Sequence, residues 1–460
     1  MHLLDECLVH TQEGMLNSHM TEKTENTGAT AGAYRSVKIT DDLLFELPKT
    51  DLHVHVDGSM RIPTLIELSK ANGVELPSYD EAGLRELVFR ERYASLVEYL
   101  HGFKYTCAAL QTLEALEQVG YELAWDNINE GVCYFEPRFA PQLHMGRGRS
   151  FVDVVQAVNL GLERAKDEYN ASPEVVAGLK PPFAYGIVVC AMRMFNEHFS
   201  EYYRQLMEVH THAPAENVYG MASLELARAA VMAVREYGLP IVGFDLAGQE
   251  NGYPASDHAE AYSYAHKNFL KKTVHAGEAY GPESIFQAIT DLHADRIGHG
   301  YHLFSPWLIE DESVDKLQYI NNLAEYIGDR RVTIEVCITS NLQTNPNLKM
   351  VEHHAFRQMM KHRLSATFCT DNRTISSTTV TREMGLAVKA LHMNLRELQH
   401  YTIYGFKRSF FPGTYLEKRA YVRKIIDYYR KVLDKHAAIQ GGASEGEIAA
   451  IDARTLDAEF

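Results

Sequence analysis

The stretch Leu47–Gly58, LPKTDLHVHVDG, sets two histidines one residue apart at the end of an apolar alternation, with an aspartate two residues further on. In a β-strand, residues two apart share a face, so His53 and His55 present both imidazoles to one side at the strand's C-terminal end. Such a pair suits a metal ion, and it equally suits two packed core histidines. The choice depends on what the rest of the chain brings to the same place.

From this stretch onward, short β-rich runs alternate with longer helical patterns. The expected strands are 50–56, 131–139, 183–192, 240–246, 271–277, 295–300, 332–338 and 365–371. Leu113, Leu116, Val119 and Leu123 recur at helical spacing before the second, Gly238 offers a helix stop before the fourth, and Asp257 with Glu260 reads as a capping pair before the fifth. Eight strands interleaved with helices predict an α/β fold, a (β/α)₈ barrel, with a C-terminal helical addition over 416–435 whose buried face would be Leu416, Tyr421, Ile425, Tyr428 and Leu433. The longer connections 193–222 and 301–331 are expected to carry extra helices. Residues 1–34 form a polar leader expected to be flexible, 35–436 the barrel domain with its C-terminal helices, and 437–460 an acidic tail of similar character to the leader.

In such barrels the C-terminal strand ends build the active site. Several other expected strands also end in chemistry-bearing residues. The fifth ends in HAGE, giving His275 and Glu278; the sixth in GHG, giving His299; the eighth in TDN, giving Asp371. A lone His275 could be a core histidine and Asp371 a helix cap, but their joint position on one rim points to a shared site. Imidazoles plus one carboxylate suit zinc or a similar first-row divalent ion with a position open for water, so His53, His55, His275 and Asp371 are the expected ligands. That leaves Glu278 and His299 to handle protons.

Composition narrows the partners. With Lys+Arg 45 against Asp+Glu 61, the net charge of −16 lacks the basic footprint of a nucleic-acid binder. No run of about 18 apolar residues suggests a membrane span. Six scattered cysteines without a CxxC pair suit a reducing compartment, read as the cytoplasm. Hydrophobic residues at 46% and charged residues at 23% are those of an ordinary globular chain. A small neutral molecule is the expected partner, and nothing here sets the oligomeric state.

Together LHVHVDG, DLAG with its following Gln-Glu, TVHAGE, RIGHGYHL and CTDN resemble, in order, the motifs of the adenosine deaminase family of metal-dependent amidohydrolases, with YFEPRFAP and CITSN as weaker matches. The resemblance implies one Zn²⁺ per chain on His53, His55, His275 and Asp371. It implies that Asp371 and His299 orient the attacking hydroxide, with His299 helping to take its proton, and that Glu278 protonates purine nitrogen 1. Gly248 would bond nitrogen 3, Asp57 the ribose 5′ hydroxyl, and Asn372, where many members have aspartate, nitrogen 7. Adenosine and 2′-deoxyadenosine, with water, are the implied substrates. A 5′-modified adenosine, AMP or adenine is the alternative, with Arg138, Arg193 and Arg373 near the expected rim as groups that could meet a phosphate. A hydrolase of cyclic amides and a non-catalytic metal-binding barrel are the readings outside this chemistry.

Overall fold

The computed structural model describes residues 34, 36–146 and 148–456, so the leader, Tyr34 apart, lies outside the described residues. Eight parallel strands form one ring: β1 Lys49–His55, β2 Val132–Phe139, β3 Ile187–Met192, β4 Ile241–Ala247, β5 Lys271–Ala276, β6 Arg296–His299, β7 Thr333–Val336 and β8 Ala366–Phe368, each paired with its neighbour in sequence order. A further two-residue strand, Ala184–Tyr185, pairs with β2. β1, β2, β7 and β8 are buried at every position, as expected of parallel strands covered on both faces. The ring closes between β8 and β1 through a parallel bridge, Val54 to Asp371. Asp371 N–H donates to His53 O (2.8 Å) and His55 N–H donates to Asp371 O (2.7 Å). The residue expected to bind metal is thus also the one that shuts the barrel.

The helices bear out most local signals. Among them are α1 Phe103–Ala109, α2 Leu113–Asn129, α3 Ala215–Tyr237, α4 Ala259–Lys267, α5 Lys316–Arg330, α6 Ile338–Thr344, α7 Tyr415–Gln440 and α8 Glu445–Asp452. Thr112 caps α2 by accepting from Ala115 N–H, and Leu116, Val119 and Leu123 form its buried stripe. Gly238 ends α3 at φ 65°, a left-handed conformation that costs glycine little.

Other expectations fail for identifiable reasons. Asp257 does not cap α4: residues Ala255–His258 form a 3₁₀ turn, and the N-cap is His258, with no side-chain bond. Leu416 is 66% exposed, whereas Tyr421, Ile425 and Leu433 are buried and Tyr428 is partly so. Five residues separate Leu416 from Tyr421, which puts them about 140° apart around a helix. The two long connections do carry extra helices, Glu201–Val209 in 193–222 and the short 3₁₀ helices Tyr301–Phe304 and Pro306–Leu308 before α5 in 301–331. Of the described residues past 436, those up to Gln440 continue α7, and Ser444 and Glu447 form a capping box for α8, whose Ile451 is buried. No helix among the described residues is long and apolar enough to cross a membrane.

Candidate metal and catalytic site

Parallel strands point all their C-terminal ends at one rim, and the expected residues meet there. His53, His275, His299 and Asp371 each bring a donor atom within 4.8 Å of the others. His55 joins them, its Nε2 lying 3.2 Å from His275 Nε2 and 3.4 Å from Asp371 Oδ1. Asp371 Oδ1 is also 3.3 Å from His53 Nε2. His299 and Asp371 adopt left-handed backbone, φ 63° and 60°, which non-glycine residues avoid at a cost of about 1–3 kcal/mol each.

An outer ring of charges sets which imidazole nitrogen faces inward. His53 Nδ1 lies 2.8 Å from Glu335 Oε2, and His275 Nδ1 lies 3.0 Å from Asp245 Oδ2. Both carboxylates are ion-paired with Arg138, at 3.0 and 2.9 Å, and so are held ionised as acceptors. Each Nδ1 therefore carries the ring hydrogen, and each Nε2 presents a lone pair to the site. His53 Nε2, fully buried, has no hydrogen-bond partner. Asp371 accepts from Ser340 Oγ on Oδ2 (2.7 Å), which leaves Oδ1 for the cluster. Burial works to raise the Asp371 pKa, but the imidazoles of His53, His299 and His55 outweigh it and keep the carboxylate ionised. Inward lone pairs around one carboxylate oxygen fit a first-row divalent cation.

Glu278 is 8% exposed, and burial, reinforced by the nearby charges of Asp371 and Glu250, pushes its carboxyl well above the usual range. Its loop is clamped by Glu250, which accepts the N–H groups of Gly277, Glu278, Ala279 and Tyr280 at 2.7–3.0 Å and the Ser284 hydroxyl at 2.5 Å. His299 Nε2 lies 3.7 Å from Glu278 Oε2. A relay behind it assigns its tautomer. Phe356 N–H donates to His354 Nδ1 (3.0 Å), so His354 Nε2–H donates to Asn341 Oδ1 (3.1 Å). Asn341 Nδ2–H then donates to His299 Nδ1 (3.2 Å), leaving the His299 hydrogen on Nε2, where it faces the site.

The remaining expected residues border the same rim. Gly248 has φ 101°, and a Cβ there would come 3.2 Å from Met192 Cε. Asp57 is 3% exposed in the 3₁₀ turn that follows β1. Asn372 does not cap a helix: its Nδ2 donates to Tyr99 Oη (2.8 Å), one amide hydrogen is left over, and Oδ1 is buried without a partner. The three arginines offered as phosphate contacts are otherwise committed. Arg138 bonds Asp245, Glu335 and Leu52 O; Arg193 bonds Tyr253 O and His275 O; Arg373 bonds Glu130 and Asn127. Glu335, Asp245, Glu250, Ser340, Asn341 and His354 form the supporting shell that the motifs left without roles. The Asp of DLAG, the Glu two residues after that motif, and the SN of CITSN were its visible signals.

A model of the family described as adenosine deaminase matches residues 48–428. An adenosine deaminase of Mycobacterium ulcerans is 34% identical over 375 residues, covering 81% of this chain and 92% of its own length. Among solved structures, an adenine deaminase from Arthrobacter aurescens superposes with a TM-score of 0.65 at 21% identity, over 84% of this chain and 99% of that one. An amidohydrolase from Burkholderia ambifaria with bound zinc superposes with a TM-score of 0.68 at 18% identity, over 88% and 97% of the two chains.

Proposed function

Because the chain is a hydrolase belonging to the adenosine deaminase family, we propose that it converts adenosine and 2′-deoxyadenosine, with water, to inosine or deoxyinosine and ammonia, using one zinc ion. The observation that carries this reading is the placing of Glu278, buried and with its carboxyl pushed well above the usual range, beside a cluster of inward-facing imidazole lone pairs and one carboxylate oxygen. A zinc ion held by His53, His55, His275 and Asp371 would lower the pKa of water to about 7 and so supply a nucleophile at neutral pH.

The chain's own groups would do the rest. Asp371 Oδ1, the oxygen that Ser340 leaves free, takes the proton of the attacking water. His299 donates from Nε2 toward the reacting oxygen; with its hydrogen already there, it orients and does not take up the proton that the resemblance implied it shares. Glu278 gives its proton to ring nitrogen 1, so carbon 6 becomes tetrahedral without charge building on the ring. The proton from Asp371 passes to the amino group, which leaves as ammonia. The hydroxyl proton on carbon 6 returns to Glu278 as the carbonyl forms.

Gly248 would donate its backbone N–H to nitrogen 3 and Asp57 would hold the 5′ hydroxyl. An ionised Asp57 repels a 5′ phosphate, and the commitment of Arg138, Arg193 and Arg373 to protein partners leaves none of the three to offset that. This supports the free nucleoside over AMP. The described cysteines are all free, which supports a reducing compartment, the cytoplasm.

The deciding experiment is ammonia release from adenosine, AMP and adenine by the purified protein, with metal assayed on the same sample. Release from adenosine that stops on zinc removal and returns with zinc is expected. No release from a zinc-loaded sample would overturn the reading.

Two finer outcomes follow. The amide hydrogen of Asn372 not used on Tyr99 would donate to nitrogen 7, so an adenosine analogue with carbon at that position should bind about two- to tenfold more weakly. Equal inhibition constants would remove Asn372 from that contact. Asn341→Asp puts an acceptor beside His299 Nδ1 and draws the ring hydrogen away from Nε2. Turnover should fall about tenfold or more at unchanged metal content, with KM little altered. An unchanged kcat would sink the relay.

A further inference from the structure

Beside the first cluster the described residues hold one other set with metal-ligand spacing. Asp57, Cys107 and His144 each bring a donor atom within 4.8 Å of the other two. Cys107 Sγ, on α1, lies 3.8 Å from Asp57 Oδ2, while Asp57 Oδ1 accepts from Gly58 N–H at 3.1 Å. Sulfur and oxygen ligands at ordinary zinc bond lengths and a tetrahedral angle sit about 3.5 Å apart, so little movement is needed. His144 supplies the independent sign. Its Nδ1 lies 3.1 Å from Leu110 O, which can only accept, so the ring hydrogen is there and Nε2 carries a lone pair. His144 is 0% exposed, yet Nε2 has no partner.

We infer that Asp57, Cys107 and His144 form a second cation site, separate from the zinc cluster, which takes a thiophilic divalent ion such as zinc or cadmium and excludes substrate when filled. Thiolate, imidazole and carboxylate together select soft to borderline cations over magnesium or calcium. Burial lowers the His144 pKa to about 4, so the imidazole is neutral and its lone pair available. Burial also holds the Cys107 thiol protonated until a cation arrives. Binding then breaks the S–H bond, forms the S–metal bond and releases one proton to solvent. Among the described residues Cys107 is the one cysteine that is partly exposed, the others being buried, so an ion can reach it. The exclusion of substrate rests on the proposed role of Asp57, whose carboxylate cannot serve both the cation and the ribose 5′ hydroxyl.

The test is cadmium titration of the zinc-loaded enzyme, read by thiolate-to-cadmium charge-transfer absorption and by metal content after dialysis. The wild type should bind one additional cadmium per chain with a charge-transfer band. Cys107→Ser should lose the band and His144→Gln should weaken it, while both keep turnover in the absence of cadmium. The first cluster contains no sulfur, so cadmium exchanging there gives no band. In the wild type, cadmium should raise KM for adenosine without changing kcat, and Cys107→Ser should abolish that effect. A missing band, or one that persists in Cys107→Ser, would overturn the site. A band with unchanged KM would overturn the exclusion of substrate, together with the ribose contact of Asp57. Lack of adenosine turnover before cadmium is added would instead count against the proposed reaction, and the absorption result would stand apart from it.

Discussion

Glu278→Gln is expected to lower kcat for adenosine by about 10²- to 10⁴-fold, with metal content unchanged and KM little affected. The amide matches the carboxyl in size and can donate a hydrogen bond, but it cannot hand over a proton. The substitution should leave the loop in place, because Glu250 holds it by the backbone N–H groups of Gly277, Glu278, Ala279 and Tyr280, which the change does not touch. Single-turnover kinetics beside zinc analysis would check it. A zinc-loaded variant with near wild-type turnover would show that nitrogen 1 receives its proton from elsewhere. The buried, negative surroundings that push the Glu278 carboxyl up, and so favour its proton-bearing form, are the reason to expect so large a loss.

The second large effect belongs to a residue outside every recognised motif. Glu335 sits at the centre of the barrel, 0% exposed, with Oε2 on His53 Nδ1 (2.8 Å) and Arg138 Nη2 (3.0 Å) and Oε1 on Arg296 Nε (2.6 Å) and Thr273 Oγ1 (3.0 Å). Glu335→Gln leaves two buried guanidiniums short of a counter-charge, and breaking a buried pair in this way costs about 3–5 kcal/mol. Denaturant unfolding at neutral pH should show that loss, and zinc affinity should drop about 10- to 100-fold as His53 loses its orienting carboxylate. Burial alone would raise the Glu335 pKa, but Arg138 and Arg296 outweigh it and hold the folded value far below the ordinary carboxylate range. A depressed folded value means the stabilisation is complete above the unfolded value, about 4.3, and is lost as pH falls from there toward the folded one. The gap between wild type and variant should therefore narrow on acidification below about pH 4. A gap under about 1 kcal/mol at neutral pH would show that the network is not held together by Glu335.

Much of this protein is legible in one dimension because its signals are local. Parallel strands buried on both faces read as apolar runs, and their alternation with helical stripes such as Leu116, Val119 and Leu123 announces the barrel. His53 and His55 share a face by strand geometry alone, and His275, Glu278, His299 and Asp371 stand at or just beyond strand ends, so their meeting follows from the fold class. Where local signals competed, the sequence reading went astray: Asp257 has the right neighbours for a cap, yet the chain makes a 3₁₀ turn there.

Tertiary structure alone decided the orientation of those groups. Which nitrogen of His53 faces inward depends on Glu335, 282 residues away, and the His275 tautomer depends on Asp245 and, through it, on Arg138. Arg138, Arg193 and Arg373 look like free cations in the sequence and are tied up in the fold. The left-handed turns at His299 and Asp371, the latter also closing the ring, are announced only by residue types that tolerate that conformation wherever they occur, which does not single out these two positions. The physical reason is common to all of these. Residue type and spacing state what a side chain can donate, accept or bury, whereas partners hundreds of residues apart are chosen only when packing brings them into hydrogen-bond range and removes the water that would otherwise satisfy them.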